Sequence, residues 1–143
     1  MSREIGIVPT DIILATVWPD VGSMLSRHGA EWMEENELEQ VDVFARVVTG
    51  DWQLWLGTDE VNLDAVMITR LSGSELHILF LGGGGLSKYL LEGLEMIERF
   101  ALHHHANEVV LWGREGWDRL LDKFGYTRKG ARIVKDLVKA YAN

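Results

Sequence analysis

Four consecutive glycines, Gly82-Gly83-Gly84-Gly85, stand between an apolar run that ends at Leu81 and an amphipathic stretch that begins at Leu86. Glycine loses more conformational freedom on folding than any other residue, so four in a row inside a patterned sequence need a physical cause. Two are open. Backbone without side chains can approach a ligand closely, and the first N–H groups of the following helix then face the gap without intrahelical partners, which makes an anion site suited to pyrophosphate. Alternatively, the glycines form a flexible turn or a tight joint between helix and strand. The run is not a Walker loop, since Gly-Lys-Ser/Thr is missing and Lys88 follows Ser87 instead. Nor is it a dinucleotide fingerprint, because no β-α-β unit precedes it and the strands before it read as antiparallel.

The hydrophobic pattern on either side of the glycines sets the fold class. Ile5 to Val8 reads as an edge strand. Val21, Met24, Leu25, His28 and Trp32 recur on one face of a helix that Pro19 is placed to start. Leu38, Val41, Phe44, Ala45 and Val48 form a second helical stripe, stopped at Thr49-Gly50. Strands follow over Trp52 to Leu56, Leu63 to Leu71 and Glu75 to Leu81, the last two joined by the short turn Ser72-Gly73-Ser74. Beyond the glycines a helix spans about Leu86 to His105, with Leu86, Leu90, Leu94, Ile97 and Ala101 on one face. Val109 to Trp112 reads as a buried strand. Trp117, Leu120, Leu121 and Phe124 form another helix ended by Gly125, and Ala131 to Leu137 a last strand. The order βααβββαβαβ predicts an α/β fold, a mixed and mostly antiparallel sheet with helices on both faces. A right-handed β-α-β crossover would start at the glycine run. No linker or repeat divides the chain, so residues 1–143 are read as one domain.

Composition narrows the function classes. The 143 residues contain no cysteine, which excludes disulfides, a thiolate nucleophile and cysteine-ligated metal. Net charge is −8, which argues against general nucleic-acid binding. That charge is uneven: residues 1–80 hold 4 Lys/Arg against 14 Asp/Glu, and residues 81–143 hold 10 against 8. A polyanionic small ligand is better received by the second half, although acidic helices that merely keep the first half soluble explain the same split. No run reaches the roughly 18 apolar residues of a membrane span, and the N-terminus lacks a secretory leader, so a soluble cytoplasmic protein is expected.

The order of elements and two motifs resemble the GNAT superfamily of N-acetyltransferases over roughly residues 5–137. The family's pyrophosphate loop reads Arg/Gln-x-x-Gly-x-Gly/Ala, and the matching stretch is Gly82-Gly83-Gly84-Gly85-Leu86-Ser87. The second match is Trp117 to Tyr126, similar to the family's late helix ending in Gly-Phe or Gly-Tyr. Gly113-Arg114-Glu115-Gly116-Trp117 is most similar to small GNAT-like proteins encoded by bacteriophages. The resemblance implies acetyl-coenzyme A as co-substrate. Its pyrophosphate would lie on Gly82 to Ser87, and its pantetheine arm would pair with strand backbone around Leu79 to Leu81. It implies an N-acyltransferase acting on a small-molecule or protein amine. Gly82 replaces the family's Arg/Gln, and Leu121 falls where many members carry a tyrosine acid. Those departures give the alternative: an inactive GNAT-fold virion or assembly protein that meets phage structural proteins.

Acetyl transfer to an amine needs a base for the ammonium proton and an acid for the leaving thiolate. Strand alternation puts Glu75, His77, Leu79 and Leu81 on one face and Leu76, Ile78 and Phe80 on the other. If the first face lines the cleft, His77 is the base and Glu75 positions it; otherwise both are a polar strand end. Tyr126 and Tyr89 are substitute acids, or half-buried packing residues. His103-His104-His105 point in different directions on a helix, and Asp51, Asp59, Glu60 and Asp64 lack calcium-loop spacing, so no metal is expected. Among six tryptophans, Trp112 and Trp117 are expected in the core. Trp52 and Trp55 have opposite strand parity, so one of them is expected to be exposed at an interface, as in a homo-oligomer. Arg128, Lys129, Arg132, Lys135 and Lys139 form a basic stretch that suits the 3′-phosphate of coenzyme A, an acidic partner, or solvent.

Overall fold

The structure, a computed structural model, describes residues 3–8, 12–60, 62–113 and 116–142. Its elements are β1 (Arg3–Ile7), α1 (Ile12–His28), α2 (Ala30–Glu35), α3 (Gln40–Val48), β2 (Gln53–Asp59), β3 (Asn62–Ser72), β4 (Glu75–Gly82), α4 (Leu86–His103), β5 (Glu108–Trp112), α5 (Trp117–Asp122), β6 (Thr127–Lys129), β7 (Arg132–Asp136) and α6 (Leu137–Tyr141). The strands form one seven-stranded sheet in the order β1-β2-β3-β4-β5-β7-β6. Every pairing is antiparallel except β4 with β5, which is parallel as the crossover through α4 requires. This is the mixed, mostly antiparallel α/β architecture expected, with β1 at an edge.

Two apolar layers sandwich the sheet. On one face α4 and α5 lay Leu90, Leu94, Ile97 and Leu121 over Leu76, Ile78, Val109 and Ile133. On the other, α1, α2 and α3 lay Leu14, Val21, Leu25, Met33 and Val43 over Leu54, Val66, Ile68 and Phe80.

Several local expectations are corrected. The first helix begins at Ile12, and Pro19 lies inside it. A proline removes one backbone bond from a helix interior, and fully buried residues on both sides of it, Leu14 and Val21, anchor the segment. The stripe on α3 is rotated: Val43 and Val47 are buried while Val41 is 64% exposed. A capping box between Glu39 and Asp42 fixes the helix start at Gln40 and turns the Val43–Val47 line inward. Trp112 is 58% exposed and not core, whereas Trp117 packs against the α4 layer. Neither Trp55, buried beneath α4, nor Trp52, half-buried against Trp32, is exposed. The short strand β6 and the terminal helix α6 carry no periodicity long enough to reveal them.

The most consequential correction lies in β4. Thr69 pairs with Ile78 but Ile68 pairs with Phe80, so Leu79 is an extra residue, a β-bulge. Alternation therefore breaks at Leu79. Leu76, Ile78 and Leu81 face α4, while Phe80 joins the opposite layer against Trp32. The expected face of Glu75, His77, Leu79 and Leu81 thus loses Leu81, and the other face loses Phe80.

Candidate functional site

Sheet pairing between β4 and β5 runs from Glu75 opposite Glu108 to Ile78 opposite Leu111, and stops. Beyond the bulge the two strands part. The fork opens a cleft of about 590 Å³ whose walls are Ile78 to Leu81 on one strand and Leu111 to Gly113 on the other. Trp117 at the head of α5, Ala131, and His28, Trp32, Glu35 and Asn36 from the α1–α2 side complete it. Leu79 packs its side chain on the α1–α3 layer and Leu81 on the α4 layer. What these two residues leave to the cleft is main chain, whose unpaired polar groups must find a partner.

The glycine run follows directly from this wall, and its four members do different jobs. A Cβ on Gly83, which has φ +126°, would collide with the Asp64 carbonyl on β3. One on Gly85 would lie 2.8 Å from the Asp64 Cβ. These two glycines are a packing joint. The Gly85 amide donates to the Asp64 carbonyl at 3.0 Å and the Leu86 amide to the Gly83 carbonyl at 3.3 Å, so fewer amides are open to an anion than four glycines suggest. A Cβ on Gly82 would strike the buried Phe80 ring, which packs on Trp32. Gly84 is different: nothing lies within 4 Å of its would-be Cβ. Among the described residues, the Gly84 and Ser87 amides have no backbone partner. With Leu86 they form the head of the 18-residue α4, where an anion is favoured. Lys88 lies 3.7 Å from the Asp64 carboxylate and offsets its charge. The residues thus fit a diphosphate through Gly84, Ser87 and the helix end.

Glu75 and His77 meet on the sheet face that carries Phe80. His77 Nε2 is 3.0 Å from Glu75 Oε1, and the other carboxylate oxygen accepts a 2.6 Å bond from Arg132 on β7. The Arg132 guanidinium beside Glu75 holds its carboxyl below the usual range, helped by the His77 contact and opposed by burial. His77 immediately precedes the wall residue Ile78, but neither it nor Glu75 is among the residues that line the cleft. Tyr126 is elsewhere. It is 1% exposed on the α4 side, and its hydroxyl donates to Glu98 at 2.7 Å. Burial pushes that hydroxyl well up, with the Glu98 charge adding to it. Tyr89 is equally committed, donating to Asp64 at 3.0 Å. The structure therefore brings Glu75 and His77 together on the strand that leads into the cleft wall, and leaves Tyr126 apart on the far side of the sheet.

Cleft residues not foreseen from sequence are His28, Trp32, Glu35 and Asn36. The first two belong to the stripe read as one face of a helix; a histidine inside that otherwise apolar stripe was the available signal. The Glu75–Arg132 link joins residues 57 positions apart and has no local signature. No group of three or more His, Asp or Glu among the described residues is arranged to hold a metal. Arg114 and Glu115 of the phage-like motif lie outside the described residues.

This chain, with its mixed sheet, β4 parallel to β5 and a glycine loop leading from β4 into α4, has the fold of acetyltransferases of solved structure. Among solved structures it is similar to an aminoglycoside 6′-acetyltransferase type Ii, with TM-score 0.75, 10% identity and coverage of 94% of this chain and 97% of that one. It is similar to the ribosomal-protein-S18-alanine N-acetyltransferase of Escherichia coli, with TM-score 0.68, 13% identity and coverage of 95% and 94%. It is also similar to the PaiA N-acetyltransferase of Thermoplasma acidophilum in complex with coenzyme A, with TM-score 0.66, 14% identity and coverage of 95% and 99%. No family model and no curated protein matches the sequence.

Proposed function

We propose that this chain is an acyl-coenzyme-A-dependent N-acyltransferase that moves an acetyl group to an amine. The observation that carries the reading is the fork at Leu79, which leaves strand backbone open beside a loop and helix end with uncommitted amides. Gly84, Ser87 and the α4 terminus would hold the diphosphate, and the Leu79–Leu81 backbone would pair with the pantetheine arm. Bound acetyl-coenzyme A supplies an activated thioester, whose acyl carbon forms a bond to the amine nitrogen as the carbon–sulfur bond breaks. His77 takes the ammonium proton and Glu75 orients the ring, and the coenzyme A sulfur leaves as a thiol with the second proton, which the acylated nitrogen sheds. No tyrosine is among the cleft-lining residues, so the leaving group is not served by Tyr126. The acceptor, a small molecule or a protein, enters past His28, Trp32, Glu35 and Asn36. An acidic first half suits a cationic one. Nothing in the fold or in these similarities speaks for a virion role.

Acetyl-coenzyme A at millimolar concentration is expected to raise the melting temperature by ligand linkage. Turnover is expected on an amine panel followed by thiol release. No shift and no heat of binding would end the transferase reading. Binding without turnover on any amine would leave an idle pocket.

A further inference from the structure

Arg132 and His77 stand at opposite ends of a short polar row that crosses β5. Arg132 Nη2 donates to Glu75 Oε2 at 2.6 Å, and Glu75 Oε1 meets His77 Nε2 at 3.0 Å. Both ends touch the cleft's frame: His77 adjoins Ile78, and the guanidinium lies 5.6 Å over the ring of Trp112, a cleft wall. Glu75 and His77 share this face by regular alternation ahead of the bulge, and β4 parts from β5 beyond them.

The row is poorly designed for stability alone. Arg132 Nε is buried and has no hydrogen-bond partner among the described residues. Half-buried ion pairs gain little once desolvation is counted, and an orphaned buried donor is a net cost. What the arrangement does enforce is a proton position. An ionised carboxylate only accepts hydrogen bonds. Glu75, with one oxygen fixed by a guanidinium, presents the other as an acceptor to Nε2, so Nε2 must carry the proton. In the neutral ring the lone pair then resides on Nδ1.

We propose that Arg132 is a positioning residue, which clamps Glu75 so that neutral His77 is held as the Nε2–H tautomer with Nδ1 open as the proton acceptor. The tautomer itself is independent of the transferase reading; what Nδ1 does with it rests on that reading. The charged neighbours of His77 on the flanking strands are Arg70, opposite it on β3, Glu108, opposite Glu75 on β5, and Arg132 on β7.

Long-range proton–nitrogen spectra of the uniformly labelled full chain test this, recorded at mildly alkaline pH and assigned by loss of signal in His77→Asn. Wild type is expected to show a single Nε2–H pattern for His77. Arg132→Met is expected to give an averaged pattern of both tautomers, and Arg132→Lys, which keeps the charge, to restore the wild-type one. If Arg132→Met does not fold, Glu75→Gln serves instead, because its amide can also donate to Nε2 and frees the preference. An Nδ1–H or averaged ring in wild type, or an unchanged pattern in both variants, overturns the proposal. Acetyl-coenzyme A binding on the same samples separates the two readings. If wild type does not bind, the transferase reading fails while the tautomer assignment stands. If it turns over, Arg132→Met is expected to lower kcat about tenfold or more with KM for acetyl-coenzyme A unchanged.

Discussion

Asp64 and Gly85 lock β3 to the head of α4: the Asp64 carbonyl accepts the Gly85 amide at 3.0 Å, and a Cβ on Gly85 would lie 2.8 Å from that of Asp64. Gly85→Ala is therefore expected to destabilise the fold by about 1–3 kcal/mol. Gly84→Val, in open space, should change stability by no more than about 0.5 kcal/mol yet abolish the acetyl-coenzyme A shift. Urea melts with and without ligand check both. A Gly84→Val protein that still binds would move the ligand off the glycine loop.

Glu98 is the most deeply placed charge among the described residues, 1% exposed, and accepts from Tyr126, Tyr141 and Lys135 at 2.6–3.0 Å. Glu98→Ala strands these donors and is expected to cost about 3 kcal/mol. Denaturant titration gives the value directly; a loss under about 1 kcal/mol would mean that the cluster relaxes into water.

The same cluster sets an alkaline limit. Burial first, then Glu98, pushes Tyr141 up to about 12 from 10.0 and Tyr126 well above 10.0. Hydroxyls whose pKa is raised by folding contribute stability that is complete below 10.0 and is lost as pH rises through the folded value. Melting temperature should therefore fall between about pH 10 and 12, and less steeply in Tyr141→Phe. Equal slopes in the two proteins would contradict this.

At the acid end the sign reverses. Glu75 is lowered from 4.5, chiefly by the Arg132 hydrogen bond. Its stabilisation is present above 4.5 and disappears as pH falls through the depressed folded value. Arg132→Met should flatten that part of the stability profile and leave the alkaline limb alone. Melts across the acid range in both proteins decide it.

His28 lines the cleft, and His77 immediately precedes its wall residue Ile78. His77→Asn is expected to lower kcat about a hundredfold with binding of acetyl-coenzyme A retained, the usual worth of a general base. His28→Asn should alter KM for the acceptor and not kcat. The reverse split would assign the base to His28.

The α4 helix and the central strands were legible because their apolar periodicities are long. Leu90, Leu94, Ile97 and Ala101 did line the inner face of α4, and Val109 to Leu111 were buried on both sides. What sequence could not show was insertion without a marker. Leu79 is an ordinary apolar residue in an ordinary apolar strand, and only its partner strand reveals it as supernumerary. Every assignment of faces downstream of it shifts. The glycine run was visible, but its division into joint and opening depends on Asp64, which lies eighteen positions before Gly82 and meets the run only through β3. Tyr126 stood open between an acid and a packing residue because nothing local announces Glu98.

The supernumerary leucine makes the chain sensitive to length rather than to chemistry. Removing that one amino acid would restore regular alternation with Phe80 still toward Trp32 and Leu81 still toward α4, since Ile78 and Phe80 already pair with Thr69 and Ile68, and would let β4 zip onto β5 past Ile78. Loss of a single residue would thereby seal the opening without exchanging inside for outside, whereas exchanging Leu79 for another apolar type of similar bulk would leave the architecture intact.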